Sequence, residues 1–196
     1  MFGTQEQFIK IPKNRIAVLI GPNGETKSYI EEKTQTRLDI DSNEGGVTII
    51  NTPKSTDPLS VWFAKDIVNA IGRGFSPERA YTLLHEDIML DVIDLTSYCG
   101  KSKNKLLRVK GRIIGEKGKT RQMIEEMTES FISIFGHTVS IIGEQISIDV
   151  ARNAIIMLIK GSQHSTIYKY LGRKRNQIKK NKFAIWKTFQ LEDDEI

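Results

Sequence analysis

The sequence predicts an α+β protein made of two copies of one β-α-α-β-β-α module, followed by a basic C-terminal helix. Two observations predict this class. The chain resembles itself over a long repeat, and apolar residues in each copy recur at strand spacing in some segments and at helix spacing in others. At 196 residues, with 39% hydrophobic and 27% charged residues, the chain is long enough for two small domains with cores of their own.

The repeat is visible in three pairs of segments whose offset falls along the chain. Both copies contain two glycines three positions apart, followed by a Glu-Glu pair. At offsets of 94, 92 and 87 residues, the pairs are 19–34 with 113–128, 47–50 with 139–142, and 64–71 with 151–158. Because the offset changes only between predicted elements, the chain contains two homologous modules.

Each copy predicts the same order of elements. An extended segment precedes a short apolar helix, and a second helix begins at the second glycine. Two alternating segments and a longer helix follow. In the first copy, we expect Asp57-Pro58 to begin the long helix, with Trp62 and Phe63 in its core face. In the second copy, the helical period of the second helix is expected to include Phe131.

The repeat and the composition predict four regions. Ser76-Pro77 is expected to begin a helix that bridges the copies, and His164–Thr166 to cap the terminal helix. The expected regions are a first domain at 1–74, a linker helix and second domain at 75–163, a basic helix at 164–184, and an acidic tail at 185–196.

Positive charge concentrates in the second half of the chain. Residues 1–100 carry a net charge of −4 and residues 101–196 a net charge of +9. Nine basic residues lie in 101–121 with one acid, and nine more lie in 160–187 with none. This pattern favours a polyanionic partner. Neither stretch adjoins a wide apolar face, so no membrane contact is expected.

Several functional classes are not expected from this sequence. Cys99 is the only cysteine, and the three histidines lack ligand spacing, so we expect neither a metal nor another cofactor. No nucleophile–base arrangement is visible, which argues against an enzyme. The chain shows no long apolar span or secretory signal, and we expect it in the cytoplasm.

The segment 110–121, KGRIIGEKGKTR, allows two kinds of phosphate chemistry. Its Gly-Lys-Thr ending resembles a nucleotide-binding P-loop, but that loop needs a glycine where Ile113 stands. The alternative is a Gly-x-x-Gly turn between two helices. Such a turn lets a sugar-phosphate backbone approach closely and presents free N–H groups to it. We favour the second interpretation, because the first copy repeats the glycines and not the lysine.

At these residues, both copies resemble the type I KH domain. The resemblance covers IPKNRIAVLIGPNGETKSYIEEKTQTRLDID (11–41), with Ala17 where glycine is usual, and RVKGRIIGEKGKTRQMIEEMTESFISIFG (108–136). It implies a turn that clamps about four nucleotides of single-stranded RNA. The RNA-binding residues that it implies are Gly21, Pro22, Asn23, Gly24 and Lys27 in the first copy, and Gly111, Arg112, Gly115, Glu116, Lys117, Gly118, Lys119 and Arg121 in the second. It also places Ile16, Leu19, Ile20 and Ile114 beside a groove for bases, although such residues are also typical of a core.

The two copies differ in charge at the turn. RNA-binding KH turns usually carry Lys or Arg between the glycines, and Lys117 meets this pattern. Pro22-Asn23 does not, with only Lys27 nearby. We therefore expect the second module to dominate RNA affinity.

Two tandem KH modules followed by LIKGSQHSTIYKYLGRKR (158–175) resemble the archaeal partner-of-Nob (PNO) family of small-subunit ribosome assembly factors. The resemblance implies binding near the 3′ end of small-subunit ribosomal RNA. It also implies contact with the Nob endonuclease and with the α subunit of translation initiation factor two. Two alternatives stay open: a tandem KH regulator or exosome-associated factor without a ribosomal role, and a protein-docking scaffold.

Overall fold

A computed structural model describes residues 6–53, 55, 57–100, 102–176 and 180. Residues 164–176 form a helix, α9. The elements before it are β1 (Glu6–Lys10), α1 (Lys13–Ile20), α2 (Glu25–Thr34), β2 (Thr36–Ile40), β3 (Gly46–Asn51), α3 (Ser60–Gly72), α4 (Pro77–Ala80), β4 (Ile88–Asp94), α5 (Thr96–Cys99), α6 (Lys103–Ile114), α7 (Lys119–Thr128), β5 (Phe131–Phe135), β6 (Thr138–Glu144) and α8 (Gln145–Ile159). The α+β class and its repeated element order are confirmed.

The two modules have the same sheet topology. The strand orders are β1-β3-β2 and β4-β6-β5, so the last strand of each module lies in the centre of its sheet. In the first sheet both pairings are antiparallel, and Thr48 of β3 lies opposite Phe8 on one side and Asp39 on the other. In β1 and β2 burial alternates with the period of two that the sequence predicts.

The described residues fall into two compact units. One lies within Met1–Val92 and Ser133–Ile142, and the other within Ile93–Ile132 and Gly143–Ile196. In the first unit, α1, α2 and α3 pack on one another, and α3 also packs on the sheet β1–β3. The fully buried apolar side chains of its core include Leu19, Ile30, Ile49, Ile67 and Ile71.

In the second unit, α6 and α7 both pack against α8. Ile113 and Ile124, one from each of these two helices, are fully buried. Two side chains of α9, Ile167 and Leu171, are also fully buried. Since such burial removes a whole apolar side chain from water, α9 is part of this unit's core.

Two expectations about the long helix of the first module are wrong. The helix α3 begins at Ser60 and not at Asp57, whose carboxylate accepts a 2.8 Å hydrogen bond from the Leu59 N–H in the turn before the helix. Trp62 is 48% exposed and is therefore not a core residue. Its ring instead lies 4.7 Å from the Lys65 ammonium, a cation–π distance. Phe63 is half-buried.

Two further boundaries differ from expectation. The helix α7 ends at Thr128, since Glu129 adopts a left-handed backbone with φ 55°, and Phe131 lies in β5. Residues 164–166 lie inside α9, and are not a cap before it. The predicted acidic tail, 185–196, and residues 177–179 and 181–184 of the predicted basic helix lie outside the described residues.

Candidate nucleic-acid interface

The turn between α6 and α7 is formed by two glycines in positive-φ conformations. Gly115 has φ 72° and ψ 177°, a region that only glycine adopts readily, and Gly118 has φ 81°. Between them Lys117 has φ 51°, a value that is uncommon for any residue other than glycine. The Gly118 N–H donates to the Gly115 carbonyl at 3.3 Å and closes the turn. The two helices are thus joined by a single tight turn with the Lys117 side chain exposed.

The first module repeats this turn between α1 and α2. Gly21 has φ 74°, Asn23 has φ 50° and Gly24 has φ 82°, each within 2° of its counterpart in the second module. The two turns therefore have the same backbone, and any functional difference between them comes from side chains.

The two glycines of a turn are needed for different reasons. A Cβ on Gly115 would overlap the Thr120 hydroxyl and would lie 2.8 Å from the Thr120 backbone nitrogen, which a change of side-chain rotamer cannot move away. A Cβ on Gly118 would meet nothing within 4 Å. The first glycine is required for packing inside the turn, and the second leaves open backbone that a sugar-phosphate chain can approach. The first module shows the same two environments.

A nucleotide-binding P-loop does not fit this geometry. Ile113, at the position where a P-loop has glycine, lies inside α6 and is fully buried. The element that leads into the turn is a helix, where a P-loop follows a strand. The turn is therefore of the Gly-x-x-Gly kind.

The amino end of α7 lies beside the turn and has no side-chain cap. The Lys119 N–H donates to the Glu116 carbonyl, and Gly118 at the N-cap supplies no side-chain acceptor for the N–H groups that follow. No acidic residue lies in the first turn of α7, whereas Glu25 lies in the first turn of α2. Since a helix amino end carries partial positive charge, phosphate is favoured more strongly at α7.

Two lysines that were predicted to bind RNA lie beside the amino end of α7, and neither is fixed by the fold. Lys117 and Lys119 are exposed, as are Glu116 and Gly111. In the first module, Pro22 and Asn23 are exposed at the corresponding turn. The structure therefore brings to the surface one turn with Glu116 and Lys117 between its glycines, followed by Lys119, and one turn with no charged residue between its glycines.

Arg112, predicted to bind RNA, is engaged by the fold. Its guanidinium donates to the carbonyls of Leu158 at 3.2 Å and Ser162 at 2.6 Å, where α8 ends. The Leu158 carbonyl also accepts from the Gly161 N–H at 3.1 Å, and Ser162 lies three residues beyond the end of α8. Arg112 thus connects α6 to the end of α8 through hydrogen bonds.

Lys27 and Arg121, at equivalent positions, both face a glutamate one helical turn later. Lys27 Nζ lies 3.9 Å from a Glu31 carboxylate oxygen, and Arg121 Nε lies 3.5 Å from a Glu125 carboxylate oxygen. Each glutamate also accepts a 2.7 Å hydrogen bond from the backbone of the next strand, at Leu38 or Ile132. The positive charge of these two predicted RNA contacts is therefore partly compensated.

Residues suggested for the groove wall divide into two sets. Ile16 and Leu19 are buried in the core of the first unit. Ile20 is half-buried and Ile114 is 37% exposed. A Cβ on Gly111 would meet open space, so this residue leaves α6 accessible.

An open cleft of about 780 Å³ adjoins the turn of the first module. The Tyr29 and Tyr81 rings lie beside it with centroids 4.3 Å apart and planes tilted by 38°, and burial raises the pKa of the Tyr81 hydroxyl. The charged residues that line it are Glu25 and Glu78. Because both are acidic, this cleft repels a phosphate backbone.

The sequence prediction missed the contacts made by the segments that follow each third helix. The Tyr168 hydroxyl lies 3.3 Å from the Thr120 hydroxyl, and the His164 ring lies 3.0 Å from the Arg112 carbonyl. A signal for them existed: Tyr81 and Tyr168 are 87 residues apart, the offset that already aligned the third helices.

The described part of the chain offers no other obvious site. It contains no group of three or more His, Cys, Asp or Glu side chains able to hold a metal ion. In the same ranges, no helix combines the length and the apolar character that a membrane crossing needs.

Comparison with known families matches both halves of the chain. Residues 6–58 match the KH domain, and residues 89–176 match the second KH domain of PNO1, a eukaryotic-type or type I KH domain. A KH domain-containing protein of Methanocaldococcus jannaschii is 46% identical over 181 residues, which cover 92% of this chain and 79% of that protein.

Solved structures agree with these matches. Dim2p from Pyrococcus horikoshii OT3 is 54% identical, with a TM-score of 0.82, covering 86% of this chain and 99% of that one. In a structure of an a/eIF2alpha–aDim2p–rRNA complex from the same organism, the matching chain is 52% identical, with a TM-score of 0.85 and coverage of 90% and 97%. A protein of unknown function from Aeropyrum pernix is 38% identical, with a TM-score of 0.89 and coverage of 94% and 98%.

The repeated Gly-x-x-Gly turns, the sheet order and the family matches define a tandem type I KH-domain protein. Such proteins use the turn to hold single-stranded nucleic acid. With this degree of identity to Dim2p over almost the whole of that chain, the protein belongs to the archaeal Dim2p (PNO1) family.

Proposed function

We propose that this protein binds the 3′ region of small-subunit ribosomal RNA as a single strand during ribosome biogenesis. The observation that carries the proposal is the Gly115–Gly118 turn. It combines an open backbone at Gly118, an exposed Lys117 and the uncapped amino end of α7. Ribosomal RNA is the ligand because a relative 52% identical to this chain crystallised with rRNA.

The mechanism follows from the parts of the turn. Phosphates of the strand lie along the Gly115–Gly118 backbone, where the N–H groups of α7 donate to them. Lys117 and Lys119 add charge that holds the backbone in place. Bases lie along the surface that includes Gly111 and Ile114. No bond is broken at any step, and the protein acts by binding alone.

The partners and the location belong to the same proposal. The P. horikoshii complex also contains a/eIF2alpha, and we propose the α subunit of initiation factor two as a protein partner here. Contact with the Nob endonuclease rests on the family resemblance. The solved relatives come from archaea, which have no nucleus, and this supports our proposal that the protein acts in the cytoplasm.

The proposal is tested with purified protein and three labelled RNAs: a single strand with the 3′-end sequence of the source organism's small-subunit rRNA, a scrambled strand of equal length, and the duplex of the first. We expect tightest binding to the first strand in fluorescence anisotropy. In cells, crosslinking and sequencing should then enrich the same 3′ region. Equal affinity for the scrambled strand, or crosslinks scattered over messenger RNA, would contradict the ribosomal assignment.

A further inference from the structure

The segment that follows the third helix is itself part of the repeat. Residues 75–84 align with 162–171 at an offset of 87 residues. Both segments begin a helical stretch, α4 with its following 3-10 turn in the first module and α9 in the second. Both bury apolar side chains completely or nearly so, Ala80 and Leu83 in one and Ile167 and Leu171 in the other. The duplicated unit thus extends beyond the KH fold by one helical segment.

Each of these segments is tied to the first helix of its module by an arginine. Arg15 of α1 donates to the carbonyls of Ile71 and Phe75, as Arg112 of α6 does to those of Leu158 and Ser162. The accepting carbonyls are again 87 residues apart. The arginines are not at equivalent positions, since Arg112 lies three residues further along its helix than the counterpart of Arg15. Both copies thus contain equivalent arginine–carbonyl hydrogen bonds, although arginines at different positions of the helix make them.

Each segment also reaches the second helix of its module through a tyrosine. The Tyr168 hydroxyl lies 3.3 Å from the Thr120 hydroxyl, and the Tyr81 hydroxyl is hydrogen-bonded to Thr26. Thr120 and Thr26 are buried, and each is the residue against which the first glycine of the turn packs. The tyrosine therefore holds the side chain that shapes the turn.

In the second module, these contacts hold both sides of the Gly115–Gly118 turn. The helix before the turn is held at Arg112, whose guanidinium bonds to Ser162 and whose carbonyl contacts the His164 ring at 3.0 Å. The helix after the turn is held at Thr120 by Tyr168. The two helix ends flanking the turn are thus fixed by one short stretch, 162–168.

We propose that the 162–168 stretch is a brace that keeps the Gly115–Gly118 turn in its RNA-binding shape, with Tyr168 as a positioning residue. Tyr81 has the same role in the first module. The expected effect of the brace on RNA affinity rests on the proposed function. Its expected effect on the shape of the turn does not, because that shape can be measured without RNA.

The test compares Tyr168→Phe with Tyr170→Phe in the full chain. Tyr170 is a matched control, since it lies on the same helix and its hydroxyl bonds to Asn153, away from the turn. A neutral hydrogen bond predicts about a two- to tenfold loss of affinity for the 3′-end single strand in Tyr168→Phe and less in Tyr170→Phe. Amide hydrogen exchange at Gly118–Thr120, measured without RNA, should accelerate only in Tyr168→Phe.

A double variant separates positioning from general stability. If Tyr168 acts through the turn, its effect on affinity shrinks in a Lys117→Ala background, where the turn already holds RNA less well. Equal affinity and equal exchange in the two tyrosine variants would overturn the brace. Failure of the unaltered protein to bind RNA would instead overturn the proposed function, and the exchange measurement would still decide whether the brace exists.

Discussion

The Gly21–Gly24 and Gly115–Gly118 turns have the same backbone dihedral angles and different charges. The first carries Pro22-Asn23 between its glycines and Glu25 at the start of the next helix. The second carries Glu116-Lys117 between its glycines, with Lys119 where the first has Glu25. The comparison shows that backbone geometry was kept in both copies while the electrostatic potential at the turn was changed. We therefore expect the charge at each turn, and not its backbone geometry, to decide how strongly it binds RNA.

The largest expected effect comes from filling the space at the first glycine. Gly115→Ala and Gly21→Ala should each lower the free energy of unfolding by about 2–5 kcal/mol, because the new Cβ overlaps a threonine and the backbone has positive φ. Only Gly115→Ala should also weaken binding of the 3′-end RNA strongly. Urea unfolding and fluorescence anisotropy measure the two quantities.

Gly118→Ala is the matched control for this pair. Its Cβ meets nothing within 4 Å, so only the positive φ opposes it, at a cost of about 1–2 kcal/mol. If Gly21→Ala weakened RNA binding as much as Gly115→Ala, the second module would not dominate and the comparison between the turns would fail.

The next effect separates charge from geometry. Lys117→Asp should weaken RNA binding about 10- to 100-fold, since a charge-assisted hydrogen bond is worth about 1.5–3 kcal/mol, while Asn23→Asp should change it much less. Both side chains are exposed, so stability should be nearly unchanged. Affinity at several salt concentrations is the measurement, and the salt slope should flatten by about 0.7 for each phosphate that the variant no longer neutralises. A weaker affinity confined to Asn23→Asp would reverse the ranking of the modules.

How far the sequence could predict this molecule depends on whether a feature is local. The turns at Gly115 and Gly21 could be predicted, because glycine spacing fixes a local backbone conformation. The tie made by Arg112 could not, since its acceptors are 46 and 50 residues away and only packing brings them near. The exposure of Trp62 could not be predicted either. Helical spacing shows which residues share one face of a helix, but not how far along the helix that face is packed against the core.

A smaller effect tests the two arginine ties. Arg15→Met and Arg112→Met should each lower the free energy of unfolding by about 2–3 kcal/mol, because two carbonyls lose charged donors. Burial already lowers the pKa of Arg15, which is consistent with a guanidinium held by the fold. Urea unfolding measures the decrease. If Arg112→Met lost RNA affinity as strongly as Lys117→Asp with stability unchanged, Arg112 would be an RNA contact, as the sequence predicted.

The smallest effect concerns Lys27 and Arg121, the pair that the two modules share. Each lies beside a glutamate that also accepts a hydrogen bond from one backbone N–H of the next strand, so part of the charge of the lysine or arginine is compensated within the protein. Lys27→Ala and Arg121→Ala should each change stability by less than about 1 kcal/mol, as is usual for partly exposed ion pairs. Each of these two variants should lose less RNA affinity than Lys117→Asp does. The losses in Lys27→Ala and Arg121→Ala should be similar to each other. A large decrease in affinity in Arg121→Ala alone would mean that RNA displaces Glu125 from Arg121, and the second turn would then owe its advantage to two cations and not to Lys117 alone.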